Sequence, residues 1–563
     1  MNSRRNYRVS LRKTDEAIVH AVEKALDISK LAARILVARG IRTTEEAYSF
    51  LYPTLQNLSD PFLLPDMDKG VTRVLEAIHA QEPICLYGDY DADGVSSCAI
   101  TYNFFKELGV SPFTYIPERK EGYGLNIQAI RRLKEMGVKL IIALDCGSTN
   151  NEEIRYAKNC QIDVVVIDHH NVDSVLPEAC AVINPKRKDA QFPTRDLAAC
   201  GVAFFFLLAL RRRMTEQGML RKNINLKKEL DLVTIGTIGD MAPLVKDNRI
   251  LVKFGMEMMH KKPRLWLKSF YHSKLIQKGR MDEFTLNFVV IPRINAAGRV
   301  ATPRIAFDFL TSDNEAQSTR MLQELNEANK KRQTIEESML QDALSIIECE
   351  SLTEKNTLVL YKKDWHSGVT GIVAQKLMEQ FGKPTIVITE VEGLWKGSGR
   401  GGDGIDLYET VKPLSHLLIK FGGHQSACGI LLAHNNLKAL RDAFEEGVTK
   451  SMAHTERIYS IDAVAEFEDL TRGLDSFLEQ CSPFGMGNPR PTLLFEPYRI
   501  ETKRNGFLLI TDRNNKVWDG SIQSDYILPQ SSRCTIIASP IVKERMGETF
   551  IHLHVKECIP IDN

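Results

Sequence analysis

The chain has 563 residues, 43% hydrophobic and 26% charged, with 73 Lys plus Arg against 72 Asp plus Glu. That length exceeds one hydrophobic core and predicts about three or four domains of an ordinary soluble protein. Balanced charge excludes a globally basic nucleic-acid coat, so any polyanion site must be a local patch. Eleven cysteines, odd in number and without a C-x-x-C pair, argue against a disulfide framework or zinc finger and for a reducing, cytoplasmic setting. The N-terminal residues lack the apolar core of a signal peptide, and the longest apolar run, 200–210, falls short of the roughly 20 residues that span a bilayer.

In chain order, residues 1–65 read as short amphipathic helices, with Thr43-Thr44-Glu45-Glu46 a helix start. From about 70 to 200, apolar strand-like runs at 84–87, 138–144 and 162–167 alternate with helical patterns, which predicts a parallel sheet covered by helices. About 200–310 is mostly helical. Residues 315–350 carry Leu322, Leu325, Ile335, Met339, Ala343 and Ile346 at helical spacing without Pro or Gly, the pattern of a long connecting helix. A second α/β unit opens at Thr357 and runs to about 450. Beyond 456, short β-rich runs at 492–495, 507–511, 535–538 and 550–555 predict a small β-barrel.

The chemistry concentrates at predicted strand ends. Asp89, Asp91 and Asp93 crowd one turn, Gly88-Asp89-Tyr90-Asp91-Ala92-Asp93-Gly94, directly after a strand. Carboxylates that dense repel one another unless a cation sits among them. A calcium loop is excluded because its twelfth position is Ile100 rather than Glu. Asp145 follows a second strand, Asp168-His169-His170 a third, and Asp240 ends the run 232–239. A lone Asp there is usually a cap. Four such positions, three after strands of one sheet, fit a ligand site at the carboxyl edge better. Carboxylates with imidazoles and no thiolate suit hard or borderline divalent cations, not structural zinc. Two metals sharing a carboxylate activate water for attack on phosphorus, so the pattern points to phosphoester hydrolysis.

In order and spacing, Asp91-Ala92-Asp93-Gly94, Asp145-Cys146-Gly147, Asp168-His169-His170 and Asp240 resemble the four motifs of the DHH phosphoesterase superfamily. Phe421-Gly422-Gly423-His424 with Gly397-Ser398-Gly399-Arg400 resembles the glycine-rich motif of its DHHA1 domain. Arg293-Ile294-Asn295-Ala296-Ala297-Gly298-Arg299 and Pro483-Phe484-Gly485-Met486-Gly487-Asn488-Pro489 resemble the RecJ branch, the single-strand-specific DNA exonucleases. Ser148 and Gly239 depart from the usual pattern, as does the stretch Val300-Ala301-Thr302.

The resemblance implies an N-terminal helical segment (1–65), a DHH domain (66–312), a connecting helix (313–350), a DHHA1 domain (351–453) and an OB-fold nucleic-acid-binding domain (454–563). It implies two divalent cations, Mn2+ or Mg2+. Asp91 would serve one, Asp93, His169 and Asp240 the other, and Asp145 would bridge them. Asp89 would be an extra or outer ligand, Asp168 an orienting acceptor, and His170 would stand beside the nucleophilic water or the substrate phosphate. DNA or phosphate contacts are expected at Arg119, Tyr123, Arg293, Asn295, Arg299, Arg400, Gly422, Gly423 and His424. Phe507, Trp518 and Tyr526 are barrel candidates for base stacking, with core packing the commoner use of such residues. The clusters 186–188, 211–213, 261–262 and 330–332 read as solvated basic faces. The implied activity is 5′ to 3′ hydrolysis of single-stranded DNA to 5′-mononucleotides in DNA repair and recombination, with a helicase and the single-strand-binding protein as partners. The alternatives are a small-substrate DHH phosphodiesterase and a non-catalytic nucleic-acid-binding relative.

Overall fold

The computed structural model describes residues 7–220, 222–279, 281–402, 404–452, 457–470, 472–503, 506–522, 534–545 and 548–560. The chain divides into two compact units. One comprises Val9–Ile116, Tyr123–Ile291 and the residues from Ile458 on; the other contains Pro117–Gly122 and Pro292–Arg457.

After a short strand, Tyr7–Leu11, the first unit continues with helices α1 (Glu16–Leu26), α2 (Lys30–Ala38) and α3 (Thr44–Leu51), whose N-termini are capped by the side chains of Asp15, Ser29 and Thr43. A parallel sheet follows, made of β1 (Ile84–Tyr87), β2 (Phe113–Tyr115), β3 (Leu140–Leu144), β4 (Asp163–Ile167) and β5 (Ala181–Ile183). Its strand order is β2-β1-β3-β4-β5. Every residue of β1 and β3 is buried, as expected of strands covered on both faces. Chain order reverses at β1, which opens a crevice beyond the carboxyl ends of β1 and β3. Helix α4 (Ala92–Glu107) leaves that crevice, and α5 (Ala199–Glu216), α6 (Leu230–Gly239) and α7 (Lys246–Lys261) complete the layer around it. The apolar run 200–210 lies within α5 and is nearly all buried. Among the described residues no helix is long and apolar enough to cross a membrane.

At Ile291 the chain enters α8 (Ile291–Val300), which continues from a π-helical turn, Leu286–Val290. In the second unit, α9 (Glu315–Cys349) runs for 35 residues and buries Met339, Ala343 and Ile347 against β6 (Leu358–Tyr361). The mixed sheet adds β7 (Thr385–Val391), β8 (Leu394–Arg400), β9 (Lys420–His424) and β10 (Ala427–Leu432), in the order β9-β10-β8-β7-β6. Strands β6 and β7 run parallel, and the other neighbours pair antiparallel.

The C-terminal sheet consists of β11 (Ala463–Val464), β12 (Leu493–Phe495), β13 (Arg499–Thr502), β14 (Phe507–Thr511), β15 (Val517–Ser521), β16 (Cys534–Arg545) and β17 (Glu548–Pro560). Its order is β11-β12-β16-β17-β15-β14-β13, mostly antiparallel and consistent with an OB-like fold. The N-terminal helices share one core with this sheet: Val19, Ile35 and Leu36 cluster with Phe477, Phe495 and Ile536.

Two cations on α7 fasten these distant segments together. Arg249 donates to the carbonyls of Phe50, Gln480 and Cys481, and Lys253 to those of Leu51 and Gln480. These carbonyls end α3 and the helix Arg472–Cys481, so the negative ends of two helix dipoles converge on α7. Burial pushes Lys253 down to about 8 and Arg249 to about 10. Arg249→Met is expected to destabilise the fold by about 3 kcal/mol, because it leaves buried carbonyls without donors. Denaturant unfolding should show the loss as a lower midpoint.

Candidate metal centre

Each predicted ligand reaches the crevice by a different local device. Asp91 caps α4, its Oδ1 accepting the N–H groups of Asp93 (2.9 Å) and Gly94 (3.1 Å), which leaves Oδ2 for another partner. Capping and ligation are therefore compatible in one side chain. Asp93, 1% exposed, accepts from the N–H groups of Ala199 (2.6 Å) and Cys200 (2.9 Å) at the start of α5. Asp145 leaves β3 with φ +65°, a left-handed conformation that a non-glycine residue rarely adopts and that turns the chain at the strand end. Asp240 is the C-cap of α6. A carboxylate there opposes the helix dipole and gains nothing unless a cation is near.

These side chains converge. Asp89, Asp91 and Asp145 form one group of potential metal-binding atoms, Asp93, His169 and Asp240 a second, and Asp145, His169 and His170 a third; within each, the donor atoms lie within 4.8 Å of one another. Nε2 of His169 is 3.3 Å from Asp145 Oδ1 and 3.8 Å from Asp93 Oδ2, and its Nδ1 is 3.6 Å from Asp240 Oδ2. Asp145 is thus the residue common to the Asp89–Asp91 group and the histidine group. Asp89, at 3% exposure, shares one group with Asp91 and Asp145.

The electrostatics are those of a site built for cations. Burial, then the neighbouring Asp91, raises Asp93 to about 6. Burial, then Asp93 and Asp91, raises Asp240 to about 8. Asp145 is pushed well above the carboxylate range for the same reasons. Burial lowers His169 to about 3, which keeps its imidazole neutral and able to ligate. Among the described residues, Asp145 Oδ1 and His169 Nε2 are both buried without a hydrogen-bond partner. Buried acceptors left open toward each other fit a bound divalent cation.

Asp168 differs in kind. Although burial would raise it, hydrogen bonds from His170 and Ser148 hold it below the usual carboxylate range. Its oxygens accept from the N–H groups of Ser148, His169 and His170 and lie 2.8 Å from His170 Nδ1. For His170 burial works downward, but the Asp168 contact prevails and raises it to about 9. Tyr123 donates its hydroxyl to the Asp145 carbonyl (3.0 Å), and the hydroxyl oxygen is 2.8 Å from His170 Nδ1. The structure therefore makes Tyr123 a partner of His170, with its ring still 45% exposed.

Sequence reasoning passed over several supports. Ser148, a departure from the family pattern, accepts from Asn184 Nδ2 (2.8 Å), and Asn184 also holds the His170 carbonyl (2.9 Å). Gly236 is required by close approach, since a Cβ there would lie 2.7 Å from Asp93 Oδ1 and 2.5 Å from Cys200 Sγ. Gly239 faces Ala92, whose Cβ would be 2.9 Å away, so the usual alanine would crowd α4. Neither pairing is visible in sequence, because the partners are over 35 residues apart.

The remaining candidates, Arg119, Arg293, Asn295, Arg299, Arg400, Gly422, Gly423 and His424, belong to the second unit. Arg119 donates to the Gly298 carbonyl (3.3 Å), Arg299 to that of Gly368 (2.8 Å) and Arg293 to Asn326 (2.6 Å). Gly422, Gly423 and His424 lie exposed on β9, where Ser426 N–H donates to His424 Nδ1 (3.3 Å). Arg400 on β8 donates to the Gly399 carbonyl (2.7 Å). Trp518 is a core residue bonded to Asp512, Phe507 is 36% exposed, and Tyr526 lies outside the described residues. Arg187 corrects the reading of 186–188 as a solvated face: it is buried and paired with Asp66 and Asp189.

A parallel sheet with acidic strand ends, followed by a mixed sheet with a glycine-rich strand, defines a two-domain DHH-type phosphoesterase. The DHH family N-terminal domain matches residues 83–237 and the DHHA1 domain matches 354–450. The single-stranded-DNA-specific exonuclease RecJ of Escherichia coli is 32% identical over 513 residues, 87% of this chain and 86% of that protein. RecJ of Bacillus subtilis is 35% identical over 88% of this chain, which spans 62% of the longer relative. The crystal structure of RecJ from Thermus thermophilus in complex with Mn2+ superposes with a TM-score of 0.84 at 25% identity, covering 100% of this chain and 81% of that one. The chain belongs to the RecJ family of single-stranded-DNA-specific exonucleases.

The raised carboxylates carry a pH prediction. Between the unfolded value near 3.8 and the folded values of about 6 and about 8, the metal-free fold binds more protons than the unfolded chain. Its stability therefore falls as pH rises across that window. Mn2+ should raise the melting temperature more at pH 8 than at pH 5.5, with protons released on binding at pH 7 measurable by calorimetry in buffers of different ionisation enthalpy. Gly236→Ala should weaken Mn2+ binding at least tenfold in the same titration, because the added methyl displaces Asp93.

Proposed function

We propose that the chain is a metal-dependent exonuclease that hydrolyses single-stranded DNA from the 5′ end, releasing 5′-mononucleotides. The observation that carries this reading is the shared position of Asp145, which belongs both to the Asp89–Asp91 group and to the group containing His169. In this reading Asp89, Asp91 and Asp145 would hold one divalent cation and Asp93, His169 and Asp240 the other, with Asp145 and His169 side by side between the two groups. When bound, Mn2+ or Mg2+ supplies charge stabilisation at the phosphoryl group and lowers the pKa of water.

The chain's own residues do the positioning. Asp168 fixes the His170 ring and favours its protonated form, which presents a cationic donor to the substrate phosphate. Tyr123 braces His170 from the other side. In the second unit, Arg119, Arg293, Asn295, Arg299, Arg400 and the exposed Gly422-Gly423-His424 strand are the proposed contacts to the DNA backbone. Family membership supports a role in DNA repair and recombination, and the reading extends to a cytoplasmic setting with a helicase that opens strands and single-strand-binding protein that coats them.

End-labelled single-stranded DNA, duplex DNA and short RNA incubated with Mn2+, Mg2+ or EDTA test the reading. Only the single strand should be degraded to mononucleotides, and EDTA should abolish the reaction. Survival of single-stranded DNA in Mn2+ would overturn it. Asp145→Asn is expected to lower kcat at least 1,000-fold, roughly 4 kcal/mol of transition-state stabilisation. His170→Gln should cost about 100-fold in kcat while bound manganese, measured by elemental analysis, stays at the wild-type level.

A further inference from the structure

We propose that Phe284 and Phe288 form a stacking platform for the bases of the single strand next to its scissile phosphate. This rests on the single-stranded-DNA reading above and names how that site holds the bases. Phe284 lies in the short turn Glu283–Thr285 and Phe288 in the π-helical turn Leu286–Val290. Their rings are 4.5 Å apart at 35°, and the residues are 64% and 66% exposed. Two large aromatic residues left so open forgo the burial that drives such side chains into a core. Adjacent exposed rings of this kind mark a contact surface.

The platform is held rigidly. The buried Glu283 carboxylate accepts from Ser482 Oγ (2.8 Å) and Phe484 N–H (2.6 Å), and Asn287 returns a hydrogen bond to the Glu283 carbonyl (3.0 Å). It is also continuous with the metal centre. One turn beyond Phe288, Ile291 packs beside Gly239, where a Cβ would stand 3.6 Å from Ile291 Cγ2 and 2.9 Å from Ala92 Cβ. Gly239 precedes Asp240, and Ala92 separates Asp91 from Asp93.

The occupant follows from the chemistry. The two rings themselves offer π-faces rather than the charge or N–H donors that bind phosphate, while the cation Arg490 lies 3.9 Å from the Glu283 carboxylate. Nucleobases of a single strand present free π-faces, and those of a duplex are already stacked. The platform therefore contributes to the preference for single strands as well as to affinity.

The test uses the full chain in EDTA and a 5′-labelled oligothymidylate, compared by fluorescence anisotropy with the same strand carrying abasic sites at its three terminal positions. Wild type should bind the intact strand at least tenfold tighter. The double variant Phe284→Leu/Phe288→Leu should lose most of that discrimination, and Phe288→Trp should keep it, with indole emission quenched by DNA. Unchanged discrimination in the double variant, or none in wild type, overturns the proposal. So does loss of self-association by sedimentation with DNA binding intact, which would make the rings a protein contact. A wild-type protein that degrades single-stranded DNA in Mn2+ yet ignores the abasic sites refutes the platform alone, whereas one that leaves the strand intact refutes the functional reading beneath it.

Discussion

Negative charge held out of water at the carboxyl ends of β1 and β3 is the constraint around which the first unit is organised. Asp89, Asp93 and Asp145 are each 3% exposed or less, so water cannot screen their mutual repulsion. A fold that closes over such a cluster needs compensation from inside. Part of it comes from backbone donors: two N–H groups opening α4 serve Asp91, and two opening α5 serve Asp93. The rest is left for cations, as the raised Asp93 and Asp240 and the open Asp145 and His169 atoms indicate. Burial that would be a fault in an ordinary core is here the source of metal affinity.

The same constraint divides labour between adjacent residues. Asp168, one position before His169, is satisfied by four hydrogen bonds and orients the histidines instead of joining the acidic groups. His169 is buried and neutral, while His170, in contact with Asp168, is drawn toward the charged form. Neighbours in one motif thus take opposite protonation states because one faces the carboxylate cluster and the other faces its orienting acceptor. Away from the crevice, Arg249 and Lys253 gather two helix C-termini onto α7, which ties the N-terminal helices and the C-terminal sheet to the helices behind the site.

Much of this was legible in the residues. The strands were readable because parallel strands buried on both faces are continuous apolar runs, and the ligands because acidic residues at such strand ends have few uses other than capping or ligation. The capping alternative was sound chemistry for Asp91, whose Oδ1 caps α4 while its carboxylate also stands in the Asp89–Asp145 group. Less legible were Ser148, Asn184 and Gly236, whose side chains or lack of one matter only through partners far along the chain. Arg187 looked like one of a basic triplet, but its guanidinium turns inward to Asp66, a partner 121 residues away. Charge clusters reveal composition, not direction.

Family membership, the order of the α/β and β-rich segments and the acidic and histidine side chains that gather at the crevice were determined by sequence alone, because local periodicity and short motifs carry them. Tertiary structure decided that Asp89 belongs with Asp91 and Asp145, that Tyr123 supports His170, and that the N-terminal helices share a core with the C-terminal sheet. The reason is physical: each of those outcomes depends on which groups lose water together, and that is set by contacts between segments distant in the chain.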